Sequence, residues 1–456
     1  MSKKNRFVLN MTEGDPYSLL LKFAVPLFIG NIFQQLYNLV DSIVVGNYVG
    51  TDQLGAIGTT GSLQFLFFSL VVGFSMGIGI IIAQYYGAGD DNQVKNTIGN
   101  AIWVLMACSM IMACIGFFLA RPLLTLMKTD PRILDDAVNY LRVTSVGILC
   151  IGMYHGVSSV LRALGDSKTP LFFLIFASLV NVGLDVLFVL GFGMGVVGAG
   201  VATVLSQLLA AITCIVYAYC TNTYFRLKPS NFKLRPELLS KSCRLGIPVA
   251  LQNALIAFSL IVLQSIVNSY GKTFTASFTV VTRIEQLVQQ PFMSLGAALS
   301  TYTGQNIGAG KIKRVLRGFR ADTVISSTIA VCIMILFWIF APFIVRIFGD
   351  DPEVRRIAVD GLRINSVFYI FLGLIYTTRN VLNGAGDAMF SLLSGIVECI
   401  GRVFVAYPLT LIPFMGKYGV FYATGLTWFL NGMFSFVRYK RGKWKKMNVV
   451  NRIVEE

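Results

Sequence analysis

Residues 84–90 read Gln-Tyr-Tyr-Gly-Ala-Gly-Asp, and 221 positions later residues 305–311 read Gln-Asn-Ile-Gly-Ala-Gly-Lys. The same offset carries Asp130-Pro131 onto Asp351-Pro352, Leu141-Arg142 onto Leu362-Arg363, Gly165-Asp166 onto Gly386-Asp387 and Ala202-Thr203 onto Ala423-Thr424. Chance likeness between apolar helices does not hold one register without a gap over that distance. The chain therefore contains a duplicated unit, and it must satisfy one folding plan twice.

Composition says in which solvent. A mean hydropathy of +0.69 with 13% charged residues belongs to the membrane range, not the soluble one. Apolar stretches of spanning length fall in the first half at about 19–47, 54–83, 98–120, 139–161, 170–190 and 195–219. The second half answers at about 246–268, 276–303, 321–345, 362–382, 391–412 and 416–437. This predicts an all-α polytopic membrane protein with twelve transmembrane helices in two six-helix lobes. The expected division is an N-terminal lobe over 1–220, a connection over 221–245, a C-terminal lobe over 246–437 and a basic tail over 438–456. The first stretch carries Pro26, Asn31, Gln34, Gln35 and Asp41 and no small-residue cleavage site, so it reads as a transmembrane helix and not a removable signal.

Lys and Arg collect in alternate connections. One set includes Lys3, Lys4, Arg6, Lys95, Arg162, Lys168, Lys311, Arg314 and the run Arg438–Lys446; the other set holds far fewer, chiefly Arg121, Lys128, Arg132, Arg355 and Arg356. The positive-inside rule then places both termini in the cytoplasm of a bacterial-type cell membrane. An even number of spans per repeat gives both lobes the same orientation, with a pseudo-two-fold axis along the membrane normal.

The +16 net charge lies in short loops facing an anionic leaflet, not on one soluble face, so nucleic acid is not an expected partner and membrane lipids are. Eight cysteines show no CxxC or metal spacing. One histidine, His155, cannot build a His-based metal centre, and no P-loop pattern occurs. No nucleophile–base arrangement or organic cofactor is implied, and an enzyme ranks last.

The chemistry lies in polar groups inside the spans, where an ionisable side chain normally faces a cavity or a partner. The acids read there are Asp41, Asp185, Glu285 and Glu398, accompanied by Arg283 and Arg402. Asn181 and Asp185 are i,i+4 and share a helix face. Asp41 follows a run of amides at Asn31, Gln34, Gln35 and Asn38, and Thr203 follows a glycine-rich helix start. Two carboxylates, an amide and a hydroxyl form a hard-oxygen set suited to Na⁺ or a shared proton.

The doubled plan, the sequence Gln35–Gly46 around Asp41, the Gly-Ala-Gly turns and the Leu161–Pro170 loop (Leu-Arg-Ala-Leu-Gly-Asp-Ser-Lys-Thr-Pro) together resemble the MATE (multidrug and toxic compound extrusion) transporters. The resemblance runs along nearly the whole chain, closer to the DinF- and MepA-like bacterial branches than to NorM. It implies cation-coupled antiport, with H⁺ or Na⁺ as coupling ion, of organic cationic or amphipathic compounds by alternating access. It places the cation site on Asp41, Asn181, Asp185 and Thr203, the residues already grouped above. The expected transporting unit is the monomer.

One departure stands out. The NorM branch carries an acid early in the seventh helix, where this chain has Ala254-Leu255-Ile256-Ala257. At the repeat offset Thr203 meets Thr424, but Asn181 meets Arg402 and Asp185 meets Ala406. Glu398 and Arg402, i,i+4, read as a structural ion pair. Glu285 is a candidate for the substrate pathway, with an arginine partner as the alternative, and Gln34, Gln252, Asn253 and Gln264 are candidate cavity groups. A lipid-linked-precursor flippase of related architecture is the alternative function; a channel would need a continuous polar pore.

Overall fold

The computed structural model of the chain describes residues 8–48, 51–413 and 415–450, with side chains described outside 37–48 and 51–54. Among the described residues the secondary structure is helical throughout, with no strand. In chain order the helices are α1 Pro16–Tyr48, α2 Thr51–Gly87, α3 Asp91–Phe118, α4 Ala120–Leu126, α5 Pro131–Ala163, α6 Lys168–Asp185 and α7 Gly195–Thr221. They continue as α8 Pro236–Asn268, α9 Lys272–Gly308, α10 Ile312–Val345, α11 Pro352–Val367, α12 Tyr369–Ala385, α13 Ala388–Ile400, α14 Ala406–Thr410 and α15 Gly419–Lys440.

The repeat is written in the backbone. α2 and α9 begin and end at the same offset, and α3 and α10 begin at it. The turns between them place Gly89 at φ +73° and Gly310 at φ +75°; Gly165 and Gly386 both stand at φ +97°, a region glycine enters without steric cost. Asp130 caps α5 through the Arg132 amide, and Asp351 caps α11 through the Glu353 and Val354 amides, each with proline as the first helical residue. One departure is local: α5 is continuous, whereas its counterpart bends by 49° between α11 and α12. The bend falls at Phe368, which stands where α5 has Gly147 and whose ring packs against Gly425 of α15.

Among the described residues, ten helices are long and apolar enough to span a bilayer, and the bent α11–α12 pair makes an eleventh. The twelfth expected span, α9, has the length but carries Arg283, Glu285, Gln286, Gln289 and Gln290, which lower its hydropathy below that of a lone spanning segment.

Contacts group Met1–Asn10 with Val25–Ala250 (unit 1) and Met11–Ala24 with Leu251–Glu456 (unit 2). This differs from the division at 221–245 because the first part of α8 belongs with α2. A Cβ on Gly73 or Gly77 would lie 2.7 Å from the backbone of Ala250 or Gly246, the close crossing that small residues four apart allow in a membrane. Unit 2 is centred on buried aromatic side chains, among them Phe274, Phe292, Phe337, Tyr369, Phe421 and Trp428. Unit 1 packs on smaller ones, including Ala56, Val71, Ala120, Leu141 and Ile148.

Candidate functional site

α6 presents Asn181 and Asp185 on one face, one turn apart and both buried (1% and 0% exposed). Directly after Asp185 the helix changes to π geometry over Val186–Gly191. Such segments are uncommon and concentrate at functional sites. Among the described residues, neither side-chain atom of the Asn181 amide has a hydrogen-bond partner. Thr203 lies on α7, which packs against α6, and its hydroxyl donates to the Ala199 carbonyl at 3.1 Å. The side chains of Asp41 and Asn38 lie outside the described residues.

Unit 1 also encloses a cavity of about 390 Å³. Thr203 and Gln207 line it from α7, Gln34 from α1, Gln64 from α2, and Tyr140, Thr144 and His155 from α5, with Phe65 and Phe68 as aromatic wall. Gln64 donates to the Thr144 hydroxyl at 2.9 Å, which leaves its amide oxygen available. His155 is held edge-on between Phe68 and Tyr154, centroids 5.2 and 5.4 Å away. The structure thus brings Gln34 and Thr203 to one cavity, while Asn181 and Asp185 are buried within α6 and do not line it. Gln64, Thr144 and Gln207 were not singled out from sequence; their spacing is that of ordinary polar residues in an apolar helix.

Unit 2 uses its polar groups differently. Arg402 Nη2 and Glu398 Oε1 are 2.7 Å apart, with side chains only 7% and 8% exposed. The Arg402 guanidinium also donates to Ser259 at 3.1 Å, Asn431 donates to Glu398 at 3.3 Å, and Ser394 donates to Asn431 at 2.8 Å. The pair is closed into a chain of bonds across α8, α13 and α15, and Arg402 sits in a second π segment, Gly401–Val405. Glu285 is buried and accepts from Asn365 Nδ2 at 2.6 Å. Its hydrogen bond comes from this amide on α11; the charge of Arg402, itself ion-paired with Glu398, also acts on it, and Arg283 is exposed.

Gln252 is buried against α13, where a Cβ on Gly395 would lie 2.9 Å from its Cγ. Asn253 is half-buried, and Gln264 donates to Asn268 one turn along at 2.9 Å. None of Glu285, Gln252, Asn253 and Gln264 lines the unit 1 cavity.

One buried acid was not among those singled out in the sequence. Asp322 on α10 is 0% exposed and accepts from the Thr377 hydroxyl at 2.6 Å, while among the described residues its Oδ1 has no hydrogen-bond partner. The apolar stretch begins at about 321, which makes residue 322 look like a loop boundary, but α10 begins at Ile312 and places the acid three turns inside.

A family model described as MatE matches residues 26–187 and 248–407. The two matches begin at Pro26 and Pro248, the prolines inside α1 and α8. The probable multidrug resistance protein YpnP of Bacillus subtilis is 30% identical over 96% of this chain and 98% of its own length. The probable multidrug resistance protein NorM of Thermotoga maritima is 24% identical over 95% and 94% of the two chains, and the multidrug export protein MepA of Staphylococcus aureus 22% identical over 84% and 85%. Among solved structures, an outward-facing multidrug resistance MATE family transporter superposes with a TM-score of 0.91 at 23% identity, covering 98% of this chain and 100% of that one.

Proposed function

The chain belongs to the MatE family of multi-pass membrane transporters, and from that premise we propose that it exports organic cationic or amphipathic compounds by antiport against H⁺ or Na⁺. The relatives at 30% identity and below carry multidrug resistance or export names, which favours this reading over a lipid-linked-precursor flippase. The observation that carries it is the α6 face. A buried Asn181 amide that no described residue engages, one turn from a buried Asp185 just before a π segment, is suited to take a cation or share a proton.

Asp41 and Thr203 complete the proposed coupling set. The unit 1 cavity suits the cargo: Phe65, Phe68 and Tyr140 offer aromatic faces to a cation, and Gln34, Gln64 and Gln207 offer amide groups. Loading the acids removes negative charge, which weakens the hold on a cationic compound; release of the ion on the far side resets them. Basic residues concentrated in alternate connections support cytoplasmic termini.

Proteoliposomes carrying a pH gradient alone or a sodium gradient alone test the reading. Efflux of a fluorescent organic cation should follow one gradient and be lost in Asp41→Asn and Asp185→Asn at wild-type protein levels. Efflux that ignores both gradients, or survives both substitutions, overturns it.

A further inference from the structure

The end of α10 remote from the Gly308–Lys311 turn carries a second cavity within unit 2, of about 410 Å³. Four guanidiniums line it, those of Arg346, Arg355, Arg356 and Arg363, against a single carboxylate, Asp360. That carboxylate already accepts from the Tyr418 hydroxyl at 3.2 Å. Arg355 is held by Asp350 and by the Gly349 carbonyl. Arg363 donates through Nη2 to the Trp338 carbonyl at 3.0 Å, and among the described residues its buried Nε has no hydrogen-bond partner. Among the described residues, Arg346 and Arg356 enter no ion pair and no hydrogen bond through their side chains.

The internal repeat separates what is scaffold here from what is not. Arg363 answers to Arg142, which donates to the Phe117 carbonyl at 3.3 Å and lies over the Phe117 ring, just as Arg363 lies over the ring of Trp338, the counterpart of Phe117. That contact belongs to the common plan. The other three arginines do not: their first-unit counterparts are Thr125, Leu134 and Asp135. Beside them Phe343, near the end of α10, and Ile347, in the turn that follows it, are 70% and 78% exposed. Side chains that apolar, at the end of a spanning helix, meet hydrocarbon, which sets the neighbouring guanidiniums at headgroup depth.

We propose that this cavity binds the phosphate group of an anionic phospholipid through Arg346, Arg356 and the free Nε edge of Arg363. Guanidinium forks match phosphate oxygens in geometry as well as charge, and the Phe343–Ile347 rim accepts the acyl chain. Inorganic phosphate offers the same oxygens without the chain, so the rim distinguishes the two sources.

The test uses the full-length chain in nanodiscs of phosphatidylcholine with or without phosphatidylglycerol, reading the thermal melting midpoint. Wild type and a Lys445→Gln/Lys446→Gln control should both gain several degrees from phosphatidylglycerol, and Arg346→Gln/Arg356→Gln should lose that gain. Both arginines are exposed, so the double variant should melt with wild type in pure phosphatidylcholine. If it does not fold, Arg356→Lys, which keeps the charge but not the fork, should reduce the gain. A gain of equal size in wild type and the arginine variants, or none in wild type, overturns the proposal. Millimolar inorganic phosphate in phosphatidylcholine discs that reproduces the arginine-dependent gain overturns the lipid as its source.

Discussion

α6 and α13 occupy the same place in the two units, and each passes into a π segment. In unit 1 two polar residues, Asn181 and Asp185, precede that segment, and among the described residues the Asn181 amide has no hydrogen-bond partner. In unit 2 the same positions hold Arg402 and Ala406, and the arginine pairs with Glu398 and donates to Ser259. The loops before these helices diverge in the same way. Asp166 accepts from the Lys168 and Thr169 amides and the Thr169 hydroxyl, capping α6, whereas Asp387 is spent on Arg438, 2.8 Å away. Burial pushes the Asp166 carboxyl above the usual range, and the bonds from Thr169 offset part of that rise. Unit 2 binds its Glu398–Arg402 pair into internal structure, whereas the α6 face of unit 1 presents an amide that no described residue engages.

The largest expected effect comes from opening the closed side. Arg402→Ala leaves Glu398 buried without its counter-charge and should cost about 3–5 kcal/mol, read as a fall in melting midpoint. Glu398→Gln/Arg402→Met should recover most of it, and a double variant as unstable as the single one would show that the pair is not what unit 2 depends on.

On the other side the loss should be functional. Asp185→Asn is expected to reduce gradient-driven efflux by about 5- to 150-fold, the range of a typical coupling free energy, with a smaller fall in midpoint than Arg402→Ala. Equal damage to stability and transport would erase the contrast between the units.

Thr377→Val sharpens the comparison at a position unit 1 lacks, since Asp322 answers to Ala101. It removes the bond to Asp322 and should destabilise by about 1–3 kcal/mol in chemical unfolding. An unchanged unfolding midpoint would show that this hydrogen bond does not hold unit 2 together.

The smallest effect concerns the shared cap. The Arg132 side chain and amide bonded to Asp130 hold its carboxyl down to about 2. A depressed carboxylate stabilises above its unfolded value and loses that contribution as pH falls from about 4 to about 2. Wild type should therefore exceed Asp130→Asn in melting midpoint at neutral pH, with the difference closing over that window; a constant difference would assign it to cap geometry and not to charge.

The repeat, the spans and the Glu398–Arg402 pair were legible because each is a short-range signal: an offset, an apolar length, an i,i+4 spacing. The Asn181–Asp185 face was legible for the same reason. Asn365 as the partner of Glu285 was not, because the two lie 80 residues apart and only packing of α11 on α9 joins them. Asp322 was missed because apolarity marks where hydrocarbon begins, and α10 starts nine residues before that point at 321. The π segments leave no composition signal; they follow from how polar residues are accommodated once neighbours are in place.

The polar character of α9 bears on how the chain is made. A segment carrying Arg283, Glu285 and three glutamines within its middle turns gains little by entering lipid alone. The amide that satisfies Glu285 is synthesised 80 residues later, on α11. During translation α9 must therefore wait at the translocon or the bilayer surface, or enter beside the strongly apolar α10, until α11 emerges. Assembly of unit 2 is then a single late event, whereas in unit 1 every helix from α2 to α7 is apolar enough over spanning length to enter in its turn, the seven-residue α4 excepted.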